Sequence, residues 1–233
     1  MDTLEGSKAN TFERVLPSIT NIHLEFLSMI SNHFRYTLEL VVLFILLPLI
    51  YFVDLIPGLW KFLPITAFFI YCLGLLLINN KLKVSDFKLS GIRSQHWLKV
   101  LLFSILIALF LWSTGPEDKL ADFSNRKILL AVICYPVFSC LPQEIIFRKF
   151  FFWRYQSLFK NTTVMVLING LLFSFAHLYF ENLAALGITF IGGIIFALSY
   201  LKSRSLLFIT IEHAFYGLIL LSSYMNQHFY KAF

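Results

Sequence analysis

Apolar segments recur along this chain at lengths that match the thickness of a bilayer, with most polar residues gathered between them. A spanning helix needs about 20 mostly apolar residues, within a range of about 17–25. That rule predicts spans over residues 36–56, 62–79, 97–114, 127–146, 162–180, 183–201 and 205–225. The fourth is the least regular. It holds Pro136 and Pro142 and runs on into a basic aromatic stretch from Phe147 to Phe159. That stretch reads either as a separate interfacial helix or as the end of a long tilted one. The expected fold is therefore all-α: a polytopic transmembrane helical bundle with seven or eight helices.

The chain divides by pattern into residues 1–34, a polar and interfacial segment, then 35–126 with the first three spans, then 127–225. Asp2, Glu5, Lys8, Glu13 and Arg14 give the first region ordinary polarity. It has no basic run followed by an apolar one, so no cleavable signal peptide is expected. Ile22, Phe26, Met29 and Ile30 fall at helical spacing, which suits a helix lying on the membrane surface. Basic residues mark alternate links: Lys81, Lys83, Lys88 and Arg93; then Arg148, Lys149, Arg154 and Lys160; then Lys202 and Arg204. By the excess of Lys and Arg in cytoplasmic loops, this alternation predicts a cytoplasmic N-terminus and a multi-pass protein of the cell (inner) membrane.

Composition agrees with the pattern. The 233 residues are 58% hydrophobic and 14% charged, with a mean hydropathy of +0.77, against about 25% charged for a soluble domain. A disordered chain, a disulfide scaffold and an ordinary cytosolic enzyme are excluded. The formal net charge of +6 comes from residues between apolar runs rather than from one basic face, so nucleic acid is not an expected partner. Cys72, Cys134 and Cys140 lie in apolar stretches and read as small buried hydrophobes. Ala185, Thr189, Gly193 and Ala197 form a small-residue stripe at spacing four, which lets helices approach closely.

In so apolar a chain, ionisable groups within spans stand out, because each is costly in lipid. Glu39 and Asp54 lie near the ends of the first span and can reach the interface. Glu144, His177, Glu212 and His213 lie deeper. Glu144 and Arg148 are i, i+4 on one helix face, so the guanidinium can hold the carboxylate. Asn169, Phe173 and His177 share a face, with Gly170 and Ser174 on the adjacent one. His213 is about two turns inside its span, with Gly217 one turn later leaving room beside the ring. Glu212 points about 100° away and need not share the site. One carboxylate and two imidazoles on three parts of a bundle can bind a divalent metal such as zinc with an open position for water. They can also activate water without metal, carboxylate and imidazole together, while the second imidazole stabilises the oxyanion. Each route hydrolyses an acyl bond.

These residues resemble the CPBP family, which includes CAAX prenyl endopeptidases and bacterial proteins related to bacteriocin processing and immunity. The family pattern Glu-Glu-x-x-x-Arg, Phe-x-x-x-His, His-x-x-x-Asn is matched by Gln143-Glu144-x-x-x-Arg148, Phe173-x-x-x-His177 and His213-x-x-x-Gly217. The flanking residues look like a bacterial branch, and the resemblance covers about residues 127–225. It implies an eight-helix membrane bundle and an intramembrane endopeptidase. Glu144 would be the general base, held by Arg148, and His177 would position water or bind metal. His213 would be the second ligand or the oxyanion partner. Gln143, Asn169 and Phe173 would support them. The implied partners are a membrane-anchored protein or peptide and the lipid bilayer. Two departures matter: Gln143 cannot act as a base, and Gly217 has no side chain to polarise an oxyanion. A catalytically inactive relative that binds a partner in immunity or assembly is the alternative, followed by a proton-relaying transporter. His177 comes about 15 residues, or about 22 Å, into its span. Glu144 therefore reaches it only if the fourth helix continues through Phe147 to Phe159 or the fifth starts outside the bilayer, and the first is expected.

Overall fold

The computed structural model describes residues 29–53, 55–56, 60, 62–114 and 132–222. Those residues form seven long helices and no strand. They are α1 (Met29–Phe52), α2 (Phe62–Ile78), α3 (Ser94–Thr114), α4 (132–154), α5 (Thr162–Phe175), α6 (Leu183–Ser203) and α7 (Leu206–Leu221). The all-α bundle expected from the pattern is what forms. Among the described residues, four helices are long and apolar enough to cross a membrane: Met29–Phe52, Ser94–Ser113, Thr162–Phe180 and Leu183–Ser203. The apolar stretches Leu63–Ile78 and Leu206–Leu221 are shorter. Residues 1–28, Asp54 and the link carrying Glu117 to Lys127 lie outside the described residues, as does most of the interfacial helix expected before Phe34.

Helix starts follow from local side-chain chemistry. Asn161 Oδ1 accepts from Thr163 N–H at 2.7 Å to open α5. Asn182 accepts from Ala184 and Ala185 to open α6, and Ser205 from Phe208 to open α7. Each satisfies backbone donors that the first turn leaves unpaired. Ser205 Oγ also donates to Lys88 O at 2.8 Å, tying the basic α2–α3 link to the start of α7.

α4 is not a regular helix. It widens into π-type turns at Tyr135–Cys140 and Ile145–Phe150, on either side of Leu141–Glu144. Pro142 cannot donate to the carbonyl four residues back and its ring crowds that carbonyl, and a wide turn absorbs both effects. The same association occurs in α1, where the wide turn Val42–Leu46 precedes Pro48. The second wide turn of α4 has no proline. Its Phe147 carbonyl is taken instead by Asn169 Nδ2 at 2.7 Å, from α5. Past this turn α4 continues to Arg154 and stops there, followed by a single 3₁₀ turn at Gln156–Leu158, so the extension expected through Phe147 to Phe159 is present only in its first part.

α5 and α6 run against each other along their lengths, α7 packs on α3, α4 and α6, and α2 packs on the second wide turn of α4. The small stripe explains the first pairing. A Cβ at Gly193 would lie 2.9 Å from Gly170 Cα, and one at Gly170 would lie 2.8 Å from Ile194 Cγ1. Gly193→Ala is therefore expected to cost about 1–3 kcal/mol through overpacking. A lowered thermal midpoint in detergent micelles would show it, and an unchanged midpoint would reject the close approach.

The many aromatic residues are used in edge-on packing. Phe44 of α1 meets Phe68, Phe147, Phe151 and Tyr155 at centroid distances of 5.2–5.9 Å. Glu39 does not simply reach the interface, as its position suggested. Its carboxylate takes two bonds from Arg154, at 2.9 and 2.6 Å, and one from the Tyr155 hydroxyl at 3.1 Å. The pair closes α1 onto the end of α4. Cys72 and Cys140 are buried as expected, whereas Cys134 is exposed on the other side of α4.

Candidate active site

Three helices carry the sequence motifs, and they converge on one buried cluster. Glu144 Oε1 lies 2.8 Å from His213 Nδ1, and Glu144 Oε2 lies 3.2 Å from Arg148 Nε. Both Glu144 and Arg148 are fully buried. Arg148 Nη1 also donates to Asn169 Oδ1. Its guanidinium lies over the rings of Phe173 and Phe196, at 5.0 and 5.8 Å. The carboxylate is thus held between a guanidinium from its own helix and an imidazole from α7.

The histidines are placed by aromatic packing. His213 stacks on Phe196 at 4.6 Å and meets the edge of Phe173 at 5.7 Å. His177 follows the end of α5, where its Nδ1 lies 2.7 Å from Phe173 O and its ring lies 4.8 Å from that of Phe173. Phe173 therefore touches both imidazoles. An Nδ1 that donates to a carbonyl or a carboxylate leaves Nε2 of a neutral ring as an acceptor.

A cavity of about 490 Å³ opens against this cluster. Its polar lining includes Gln143, His177, His213, Tyr135, Ser139 and Tyr216, while its apolar wall draws on α3 and α6. Gln143, not Glu144, borders the cavity. The two diverge because adjacent helical residues differ by about 100°. Gln143 Nε2 donates to Ser139 Oγ at 3.1 Å, one turn back along the same wall. Gly217 lines the cavity too, against Tyr135.

The donor set does not fit a metal centre. One Glu144 oxygen faces His213 and the other faces Arg148. Among the described residues, no three His, Cys, Asp or Glu side chains are grouped to hold a metal ion.

Sequence reasoning left Glu212 outside the site, and its contacts follow that direction while linking it to the cavity. It pairs with Lys99 Nζ of α3 at 2.7 Å and accepts from the Tyr216 hydroxyl at 3.1 Å. Lys99 also donates to Ser199 of α6. Lys99, Tyr135, Ser139 and Tyr216 carry no motif signal. Tyr135, Ser139 and Gln143 do recur at spacing four, which is the cue that could have found that wall.

Residues 125–219 match the family model described as Rce1-like, Type II CAAX prenyl endopeptidase. No curated protein and no solved structure matches the chain. The matched segment runs from before α4 into α7 and contains all three motifs, Gln143-Glu144-x-x-x-Arg148, Phe173-x-x-x-His177 and His213. With its apolar helices, this makes the chain a multi-pass membrane protein, of which residues 125–219 are similar to the Rce1-like type II CAAX prenyl endopeptidases.

Proposed function

We propose that the protein is an endopeptidase acting within the membrane on a membrane-anchored protein or peptide, through water activated by His213 without metal. The observation that carries this reading is the buried Glu144–His213 contact at 2.8 Å, with His213 also lining the cavity. Glu144 accepts a hydrogen bond from Nδ1–H, fixes the tautomer and stabilises the imidazolium that forms. It acts through His213 as a positioning residue, which revises the role of direct base expected from its motif. Nε2 of His213 takes a proton from water as the oxygen attacks the scissile carbonyl carbon. The imidazolium then returns that proton to the leaving amine as the C–N bond breaks, giving a carboxylic acid and an amine. His177, with its Nδ1 held by Phe173 O, presents Nε2 to orient the water. Arg148 holds Glu144 in place. The family supports proteolysis in general, and the apolar cavity wall suits a lipid-modified or membrane-embedded segment. The alternation of basic links supports a cytoplasmic N-terminus in a cell membrane.

A specific observation also favours a second reading, in which the cavity binds a peptide without cutting it. The side chain bordering the cavity at the first motif position is the amide of Gln143, which cannot take a proton. One assay separates the two. Purified wild type in micelles is given fluorescent S-prenyl CAAX peptides and N-palmitoylated peptides lacking that motif, with Glu144→Ala and His177→Ala as comparisons. Cleavage by wild type that is lost in both variants supports the endopeptidase. Binding without cleavage supports the second reading, and cleavage gained on Gln143→Glu would locate the missing function at that position.

A further inference from the structure

We propose that the Tyr135 hydroxyl anchors a carbonyl oxygen of the bound peptide beside His213, in space that only a glycine at position 217 leaves open. The inference rests on reading the cavity as a peptide site. It does not require that the peptide be cut.

A peptide carbonyl entering this cavity needs a hydrogen-bond donor, because burying it unpaired costs about 1–3 kcal/mol. Most polar groups on the wall are committed or of the wrong kind. Tyr216 donates its hydroxyl to Glu212 at 3.1 Å, and Thr189 donates to Ala185 O at 2.7 Å. Nδ1 of His177 and of His213 is engaged by a carbonyl and a carboxylate, and with Nδ1 donating, a neutral ring offers only an acceptor at Nε2. Gln143 Nε2 uses one of its two N–H donors on Ser139 Oγ.

Tyr135 differs. Its side chain lines the cavity, and among the described residues its hydroxyl donates to no carbonyl or carboxylate. A peptide carbonyl oxygen can therefore take it as a partner. The ring stands edge-on to His213 at 6.3 Å and 89°, which puts this donor next to the imidazole.

Gly217 makes that placement available. A Cβ there would lie 2.8 Å from the ring carbons Cε1 and Cζ of Tyr135 and would also meet its hydroxyl. Backbone freedom does not explain the glycine, since it lies within the regular part of α7. Its missing side chain is the space that Tyr135 occupies. Two features that look unrelated in sequence, a tyrosine before a proline and a glycine one turn beyond a histidine, are therefore one local arrangement. The loss of a side chain at 217 is matched by a donor from α4.

The test is binding of a fluorescein-labelled S-farnesyl CAAX peptide to the full chain in micelles, followed by anisotropy, for wild type, Tyr135→Phe and Gly217→Ala. Tyr135→Phe keeps the ring and removes only the donor. It is expected to weaken binding about tenfold with an unchanged thermal midpoint, as for one lost hydrogen bond. Gly217→Ala is expected to weaken it at least as much by displacing the ring. Unchanged affinity in Tyr135→Phe overturns the inference, as does a loss found in Ser139→Ala but not in Tyr135→Phe. A wild type that binds this peptide without cutting it overturns the endopeptidase alone, and the Tyr135→Phe comparison still decides the anchor. A wild type that does not bind the peptide overturns the anchor, while cleavage of the palmitoylated peptides remains a separate measure of the endopeptidase.

Discussion

Arg148→Ala is expected to destabilise the bundle by about 3–5 kcal/mol, the cost of leaving one partner of a buried ion pair uncompensated. Arg148 and Glu144 are both fully buried, and their attraction is not diluted by water. The substitution strands the Glu144 carboxylate against a single imidazole. It also frees Asn169 Oδ1 and removes a cation from the faces of Phe173 and Phe196. Reversible unfolding in mixed micelles, followed by circular dichroism, measures the loss. The double variant Arg148→Met with Glu144→Gln is expected to recover more than half of it, because no charge is then left unpaired. A single Arg148→Ala variant as stable as wild type would show that the buried pair contributes nothing to stability.

His213→Ala is expected to lower kcat by about 10²–10⁴-fold on any peptide the wild type cleaves, the usual contribution of a positioned general base. KM should change little, since the apolar cavity wall contributed by α3 and α6 is untouched. Glu144 keeps its guanidinium partner in this variant, so the thermal midpoint should fall by less than in Arg148→Ala. Glu144→Gln should give a smaller loss in kcat, because the amide can still accept from Nδ1 but cannot stabilise the imidazolium. Stopped-assay peptide cleavage resolves both. A His213→Ala protein with wild-type kcat would remove His213 from the chemistry.

The sequence carried the all-α architecture, four of the seven expected spans and the three motifs, because each depends on the local spacing of apolar or polar residues. The continuation of α4 past Phe147 could be argued from depth alone, and the helix does reach Arg154. What escaped was set by distant partners. Glu39 is paired with a residue 115 positions away, and no local pattern reports such a partner. The Lys99–Glu212 pair spans a similar distance and was equally invisible. The division of labour between Gln143 and Glu144 was half readable. Their directions had to differ, but which one would border the cavity depends on where two wide turns aim the segment between them.

The ion pair at the centre of the site has a consequence for how the protein is made. An isolated arginine at the middle of a helix costs about 2.5–3.5 kcal/mol to insert through the translocon. The neighbours that complete the cluster, Asn169 and His213, belong to helices synthesised after α4. Glu144 lies one turn before Arg148 on the same helix, so the charge is offset as soon as that segment coils. The pair can then stay close to neutral within α4 until α5 and α7 arrive. The spacing that serves the finished site thus also keeps its central charge answered before its other partners exist.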